Sequence, residues 1–375
     1  MATLFEETSI NGMTMRNRVV RSATWEGMCE QDGRPTKKLA NLYRDLAQGG
    51  VGLIITGFTF VRPEGKALRG KMGIHTDDFA GDYKDLANAV HDAGGKIAVQ
   101  LVHAGGKTKA KTIGRQPLAP SSIQDEQFSE MPAELTKAEI SDIVTAFGEG
   151  ARRAKAWGID AVQLHGAHGY LINQFLSPHI NRRRDEYGGS IENRSRFLLD
   201  VYQQVRDAVG ANFPVFIKLT ASDNLDQGLT IEDAVYVAKK LSDAGIDAIE
   251  VSSGTSASGD KNPARVKINK PEKEAYNLDL AIPMKEAVTC PVMVVGGFRS
   301  YDVAEKALQN KGMDYITMSR PLIREPNLPN RWLHGDRSPA KCISCNSCFK
   351  PATKEGGIYC VIEKKEREKA TKKGA

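Results

Sequence analysis

No stretch of the 375 residues approaches the roughly 18 uninterrupted apolar residues that a membrane helix requires. The start, Met1-Ala2-Thr3-Leu4-Phe5-Glu6-Glu7, lacks the basic segment followed by an apolar one that marks an export signal. A cytoplasmic protein without a membrane partner is therefore expected. No GxGxxG follows an apolar run, which argues against a bound dinucleotide. No base and orienting acid surround Ser177, so the Ser177-Pro178 step reads as a turn and not as a nucleophile. The net charge of +6 is small, and half of it lies in the tail 361–375, where six Lys/Arg face three Glu. Such a tail reads as a solvated helix or frayed end, so nucleic acid is not an expected partner.

What the chain does have is a recurring phrase, in which a helical stretch ends at Gly and an apolar strand follows. It occurs at Gly49-Gly50, Gly94-Gly95, Gly158-Ile159-Asp160, Gly245-Ile246-Asp247 and Gly312-Met313-Asp314. Glycine suits the left-handed cap such a junction requires. Counting these strands and those without the full phrase gives eight: 19–22, 52–56, 97–101, 161–164, 215–219, 248–251, 292–295 and 315–318. Most are continuous apolar runs, the mark of strands covered on both faces in a parallel sheet. Between them lie amphipathic helices; Leu198, Val201, Val205 and Val209 repeat at helical spacing until Gly210. The pattern predicts an α/β fold, a (β/α)8 TIM barrel over residues 1–335, with a doubly wound sheet as the lesser alternative. Asn11-Gly12 reads as a hairpin capping the barrel floor, and residues 336–375 as a cysteine-rich extension with a basic tail.

A barrel does its chemistry at the C-terminal ends of its strands. The fourth strand exits into His165-Gly166-Ala167-His168-Gly169-Tyr170, three proton-carrying side chains suited to holding a carbonyl oxygen or anion and handing over a proton. Other strand ends carry Ser22-Ala23-Thr24-Trp25, Gly57, Gln100 and Lys218, a set able to hold a flat heterocycle that becomes anionic on reduction. Ser253, Gly296-Gly297 and Ser319-Arg320 form a candidate phosphate cradle after the last three strands. A phosphate-tailed flavin fits these groups. Phe58, Phe60, Lys107, Lys109 and residues 276–280 are expected to line or cover the mouth. Cys29 and Cys290 stand alone, whereas Cys342, Cys345, Cys348 and Cys360 fall within 19 residues as CxxCxxC and a fourth cysteine. Thiolates at that spacing can wrap a four-iron cluster or bind zinc.

The block from His165 to Phe197, with Gln100, Lys218, Gly296-Gly297 and Ser319-Arg320, resembles the old yellow enzyme family of FMN-dependent NAD(P)H oxidoreductases. The resemblance implies a non-covalent FMN reduced by NADH or NADPH, which then passes hydride to an activated alkene such as an enone or enoate. It makes His165 and His168 the anion- or carbonyl-binding pair and Tyr170 the proton donor. There are two departures: Trp25, after Thr24, stands where many members have Thr or Cys, and Lys218 where Arg is usual. The cysteine run is similar to that of the dienoyl-CoA reductase and trimethylamine dehydrogenase branch, which implies a [4Fe-4S] cluster and adds iron's weight against zinc. With 15 residues after Cys360, a cluster would call for an electron-transfer partner, a structural role or contact with solvent-borne carriers. Two other readings stand beside the reductase: an amine or other donor dehydrogenase whose electrons leave through the cluster, and a flavin-dependent tRNA uridine reductase. The expected partner is a small-molecule substrate, and assembly into a homo-oligomer is left open.

Overall fold

In the computed structural model, which describes residues 2–374, the eight apolar runs close into one parallel barrel, with the short strand Thr59–Phe60 added beside Lys96–Val102. The eight are β1 (Val19–Arg21), β2 (Leu53–Ile55), β3 (Lys96–Val102), β4 (Ala161–Gly166), β5 (Val215–Thr220), β6 (Ala248–Ser252), β7 (Val292–Val295) and β8 (Tyr315–Met318). Each pairs with its successor, and β8 returns to β1 with Ile316 opposite Val19. This is the TIM barrel that the alternation of strands and helices predicts, and the doubly wound sheet is excluded by closure.

The junction phrase has two physical parts. Its glycines take left-handed backbone conformations, with φ of +95° at Gly50, +74° at Gly94, +86° at Gly158, +88° at Gly245 and +67° at Gly312. A side chain there would be strained, so glycine stops the helix and frees the chain to enter the next strand. The aspartates that follow pin each strand to its predecessor. Asp160 accepts the Ile97 N–H at 2.9 Å, Asp247 the Val215 N–H at 2.7 Å and Asp314 the Val292 N–H at 2.7 Å. Helix starts are equally explicit: Thr136 and Glu139 exchange hydrogen bonds in a capping box ahead of the helix Lys137–Ala156.

The hairpin Thr8–Ile10 with Met13–Met15 closes the floor as expected. Ile10, Met13 and Met15 pack with Val20, Leu53, Ile55, Ala98, Ala161, Phe216, Ala248, Met293 and Tyr315, a cluster separate from the large core between strands and helices. Burying a ring such as that of Phe216 is worth about 1.5–3 kcal/mol. The C-terminal extension is tied onto the barrel: the Ile358 N–H donates to the Glu26 carbonyl at 2.8 Å and Ala340 to Arg299 at 2.7 Å. No helix among the described residues is long and apolar enough to cross a membrane.

Candidate active site

Strand β4 leaves the barrel through a strained turn. His168 has φ of +63° and Gly169 of +76°, and a non-glycine residue held there costs on the order of 1 kcal/mol unless its surroundings enforce it. Here they do. The His168 N–H donates to Thr220 Oγ1 (3.1 Å), the Gly169 N–H to Asn173 Oδ1 (2.6 Å), and Gln174 Nε2 to the carbonyls of Gly169 (2.8 Å) and Ala104 (3.1 Å). Asn173 is itself fixed by donating to the buried Asp223 at 3.1 Å. These three supports, Asn173, Gln174 and Asp223, had no role in the sequence reading.

The turn brings the expected trio together. The ring centroid of His165 lies 5.4 Å from that of His168 and 4.9 Å from that of Tyr170. Burial, the neighbouring imidazole, and Lys218, Lys71 and Lys107 push His165 well below its usual value; burial, Lys218 and Lys107 do the same to His168. Both rings are therefore neutral near pH 7, each with one N–H to donate. His168 Nε2 is engaged by Ser252 Oγ at 2.7 Å, while His165 Nδ1 is buried with no protein partner. Burial pushes the Tyr170 phenol up, so it keeps its proton.

The trio sits at one end of a cavity of about 300 Å³ at the C-terminal mouth of the barrel. Of the sequence candidates, Ala23, Thr24, Trp25, Gln100, Lys218, Gly297, Ser319 and Arg320 line this cavity with His165, His168 and Tyr170. Phe58, Lys107 and Tyr276 line it as mouth residues. Gly57, Ser253 and Gly296 do not. At Gly57 a Cβ would meet Glu26 Oε2 and the Thr24 carbonyl, so the missing side chain makes room for protein. Ser253 donates to Asn277 Oδ1 at 2.6 Å behind the wall, and Gly296 abuts the backbone of residues 275–277. Phe60 stacks on His75 instead of reaching the mouth.

Beneath the cavity lies a polar network whose centre, Glu250, is fully buried. It accepts hydrogen bonds from Ser22 Oγ (2.7 Å), Thr317 Oγ1 (2.8 Å) and Gln163 Nε2 (2.9 Å), and pairs with Lys218 Nζ at 3.1 Å. Gln163 also accepts from Gln100 Nε2 at 2.7 Å. Lys218 is thus a compensated cation facing the cavity, and Gln100 is fixed in orientation. Glu250 and Gln163 were missed because each sits in mid-strand between two apolar neighbours.

At the far end the groups are cationic. Arg320 donates to the Arg265 carbonyl (2.7 Å) and Asn346 Oδ1 (2.8 Å), Ser319 Oγ lies 2.7 Å from Thr24 Oγ1, and Arg299, unforeseen, joins them. Gly297 has φ of +75°, and a Cβ there would meet the Tyr276 ring. A partner-free buried imidazole nitrogen and a fixed amide at one end, with guanidinium and glycine backbone at the other, suit a flat heterocycle carrying a phosphate.

Cys342, Cys345, Cys348 and Cys360 line a second, smaller cavity together with Arg320, which faces both. Ser344 (φ +53°) and Asn346 (φ +58°) shape the loop between the cysteines. Desolvation works against the Cys345 thiolate, but hydrogen bonds from Ser347 and the charge of Arg320 outweigh it and lower the thiol's pKa. Among the described residues no three His, Cys, Asp or Glu side chains converge as a ready-made metal site.

Comparison with known proteins matches residues 3–337 to the NADH:flavin oxidoreductase / NADH oxidase family. The NADH oxidase of Thermoanaerobacter brockii is 37% identical over 346 residues, 92% of this chain and 52% of that protein. The NADPH dehydrogenase of Geobacillus sp. (strain WCH70) is 38% identical over 327 residues, 87% of this chain and 92% of that one. Among solved structures, a 2-naphthoyl-CoA reductase in complex with 2-naphthoyl-CoA superposes with a TM-score of 0.88 at 27% identity, covering 96% of this chain and 56% of its own. An old yellow enzyme homologue from Zymomonas mobilis gives 0.77 at 29% (88% and 92%), and histamine dehydrogenase from Rhizobium sp. 4-9 gives 0.84 at 25% (95% and 51%). The chain thus spans about half the length of some relatives and nine-tenths of others.

Proposed function

This chain belongs to the NADH:flavin oxidoreductase / NADH oxidase family, the old yellow enzymes, and from that premise we propose that it reduces an activated alkene with NAD(P)H by way of FMN. The observation that carries the reading is the convergence of two neutral imidazoles and a protonated phenol at one end of a cavity whose other end is built for phosphate. Gln100 and Lys218 would hold the flavin ring; Gly297, Ser319 and Arg320 would hold its phosphate. When bound, FMN supplies hydride transfer. The protein's own part is to orient and polarise. The imidazole N–H groups hydrogen-bond the electron-withdrawing oxygen of the substrate and favour charge developing on it. Tyr170, kept protonated by burial, delivers the proton to carbon. Trp25 and Phe58 wall the cavity and exclude water. The test is H165A/H168A: alkene-dependent reoxidation of reduced enzyme under argon is expected to collapse, and undiminished turnover would refute the assignment.

The likeness to histamine dehydrogenase favours a second reading, oxidation of an amine at the flavin. The cavity wall argues against it, because its lining contains four cations, Lys107, Lys218, Arg299 and Arg320, and neither Asp nor Glu to receive an ammonium. Bleaching of the flavin by an amine without nicotinamide would decide for it.

The four cysteines are inferred to hold a [4Fe-4S] cluster, with zinc as the alternative. Their spacing, their shared cavity and the cationic Arg320 support this. An electron-transfer protein is the partner such a cluster would serve. Iron and zinc analysis of anaerobically purified protein tests the inference.

A further inference from the structure

We propose that Lys107 is the specificity-determining cation of this site, seating the carboxylate of an α,β-unsaturated acid in preference to a neutral alkene. The proposal rests on the alkene-reductase reading above and narrows its substrate class. Of the four cations in the cavity wall, three are committed. Lys218 is paired with Glu250 and donates to Ser22 Oγ at 2.7 Å. Arg320 and Arg299 are spread over main-chain carbonyls at the phosphate end, Arg299 donating to Ile268 and Ala340 at 2.9 Å each. Lys107 is the one left uncommitted, and it lines the cavity 4.9 Å from the Tyr170 ring centroid. Its one hydrogen bond goes to the His168 carbonyl at 2.7 Å, and among the described residues no carboxylate lies within 4.0 Å of it. An ammonium has three N–H donors, so two are left for a ligand.

A second lysine lies close to the same cavity. Lys71, 2% exposed and without a hydrogen-bond partner, has its Nζ 2.9 Å from the centroid of the Phe58 ring, a wall of the same cavity. Burial pushes the Lys71 ammonium well down although Glu26 favours its charge, so the uncompensated cation of the cleft is Lys107. A cation without a paired acid is costly there, and an arriving carboxylate offsets that cost where an amide or ester does not. The chemistry asks for the same thing. A carboxylate conjugated to a double bond is a poor activating group because its own negative charge resists hydride addition. The neutral His165 and His168 cannot cancel that charge, whereas Lys107 beside His168 can. The reaction balances as hydride from NAD(P)H to the β carbon and a proton to the α carbon, giving the saturated acid and NAD(P)+. Lys107 changes charge in neither direction.

The experiment compares trans-cinnamate with cinnamamide, which has nearly the same shape and no charge, on FMN-loaded wild-type, K107M and K107R proteins. Binding is read from the absorption change of the oxidised flavin, and turnover from kcat/KM. The acid should bind at least tenfold more tightly than the amide to wild type, lose that margin in K107M and keep most of it in K107R. Flavin content and melting temperature establish that the variants are folded. Equal binding of the two probes to wild type, or an unchanged margin in K107M, overturns the proposal. So does a K107M protein whose only defect is a higher NADPH requirement for flavin bleaching, since Lys107 would then serve the dinucleotide. If NADPH bleaches wild-type flavin and neither probe reoxidises it, the alkene reading itself has failed; if both do so without preference, only the carboxylate seat has.

Discussion

The lower and upper halves of the barrel interior are made by the same strands two residues apart, and they could hardly differ more. Reading upward, Val20 gives way to Ser22, Ala98 to Gln100, Ala161 to Gln163 and His165, Phe216 to Lys218, Ala248 to Glu250 and Tyr315 to Thr317. Below, the side chains are apolar and nearly all fully covered. Above, they form one hydrogen-bonded network around Glu250 that ends in the cavity. A strand's period of two makes this possible without a change of backbone. Stability and chemistry are thus stacked along the barrel axis, so that they can be damaged separately.

The sharpest way to test that separation is at the top. The H165A/H168A protein should lose on the order of 10² to 10⁴ in alkene turnover while its melting temperature shifts by only a few degrees. A large loss of stability instead would show that the upper layer is structural. At the bottom the expectation reverses. Phe216→Ala should destabilise by about 3–5 kcal/mol in denaturant titration, with the flavin affinity of the folded fraction little changed. Between the layers, the charge at Lys107 is expected to respond to pH. Burial pushes its ammonium down to about 8, so cinnamate binding should be strongest below that value and weaken as pH rises through it. Around it, His165 and His168 are held neutral and Tyr170 protonated, Lys218 is paired with Glu250, and Lys71 is also pushed well down by burial, so the limb belongs to Lys107 only if K107M abolishes it. A binding limb near pH 6.5 would point to an imidazole instead. The smallest effect lies outside both layers. Thr136→Ala removes a helix cap and should cost about 1 kcal/mol, with activity per folded molecule unaltered.

The same stacking explains what the sequence could and could not disclose. The eight strands were legible because buried apolar runs and the glycine phrase are local signals, and His165, His168 and Tyr170 were legible because a strand count places them at an exit. Glu250 and Gln163 were not, although a polar residue between apolar neighbours in each of four consecutive buried strands, Gln100, Gln163, Lys218 and Glu250, is a signal that could have been used. Gly57, Ser253 and Gly296 follow strand ends as flavin-binding residues would, but adjacency in sequence does not say which side of the wall a residue faces. Asn173, Gln174 and Asp223 act through contacts spanning up to 70 positions, which no local pattern carries. Within the run Arg182-Arg183-Arg184, Arg183 is buried and pairs with Asp185 at 2.7 Å, a partner two residues on that the sequence places beside it.

Whether the polar half of the barrel is an FMN site served by the histidine pair is decided by one anaerobic spectrum. FMN-reconstituted protein is titrated with NADPH, and an unsaturated acid such as cinnamate is then added. The expected result is a bound flavin spectrum, bleached by the nicotinamide and restored by the alkene. A protein that retains no flavin, or a bleached flavin that the alkene leaves unchanged, would contradict it.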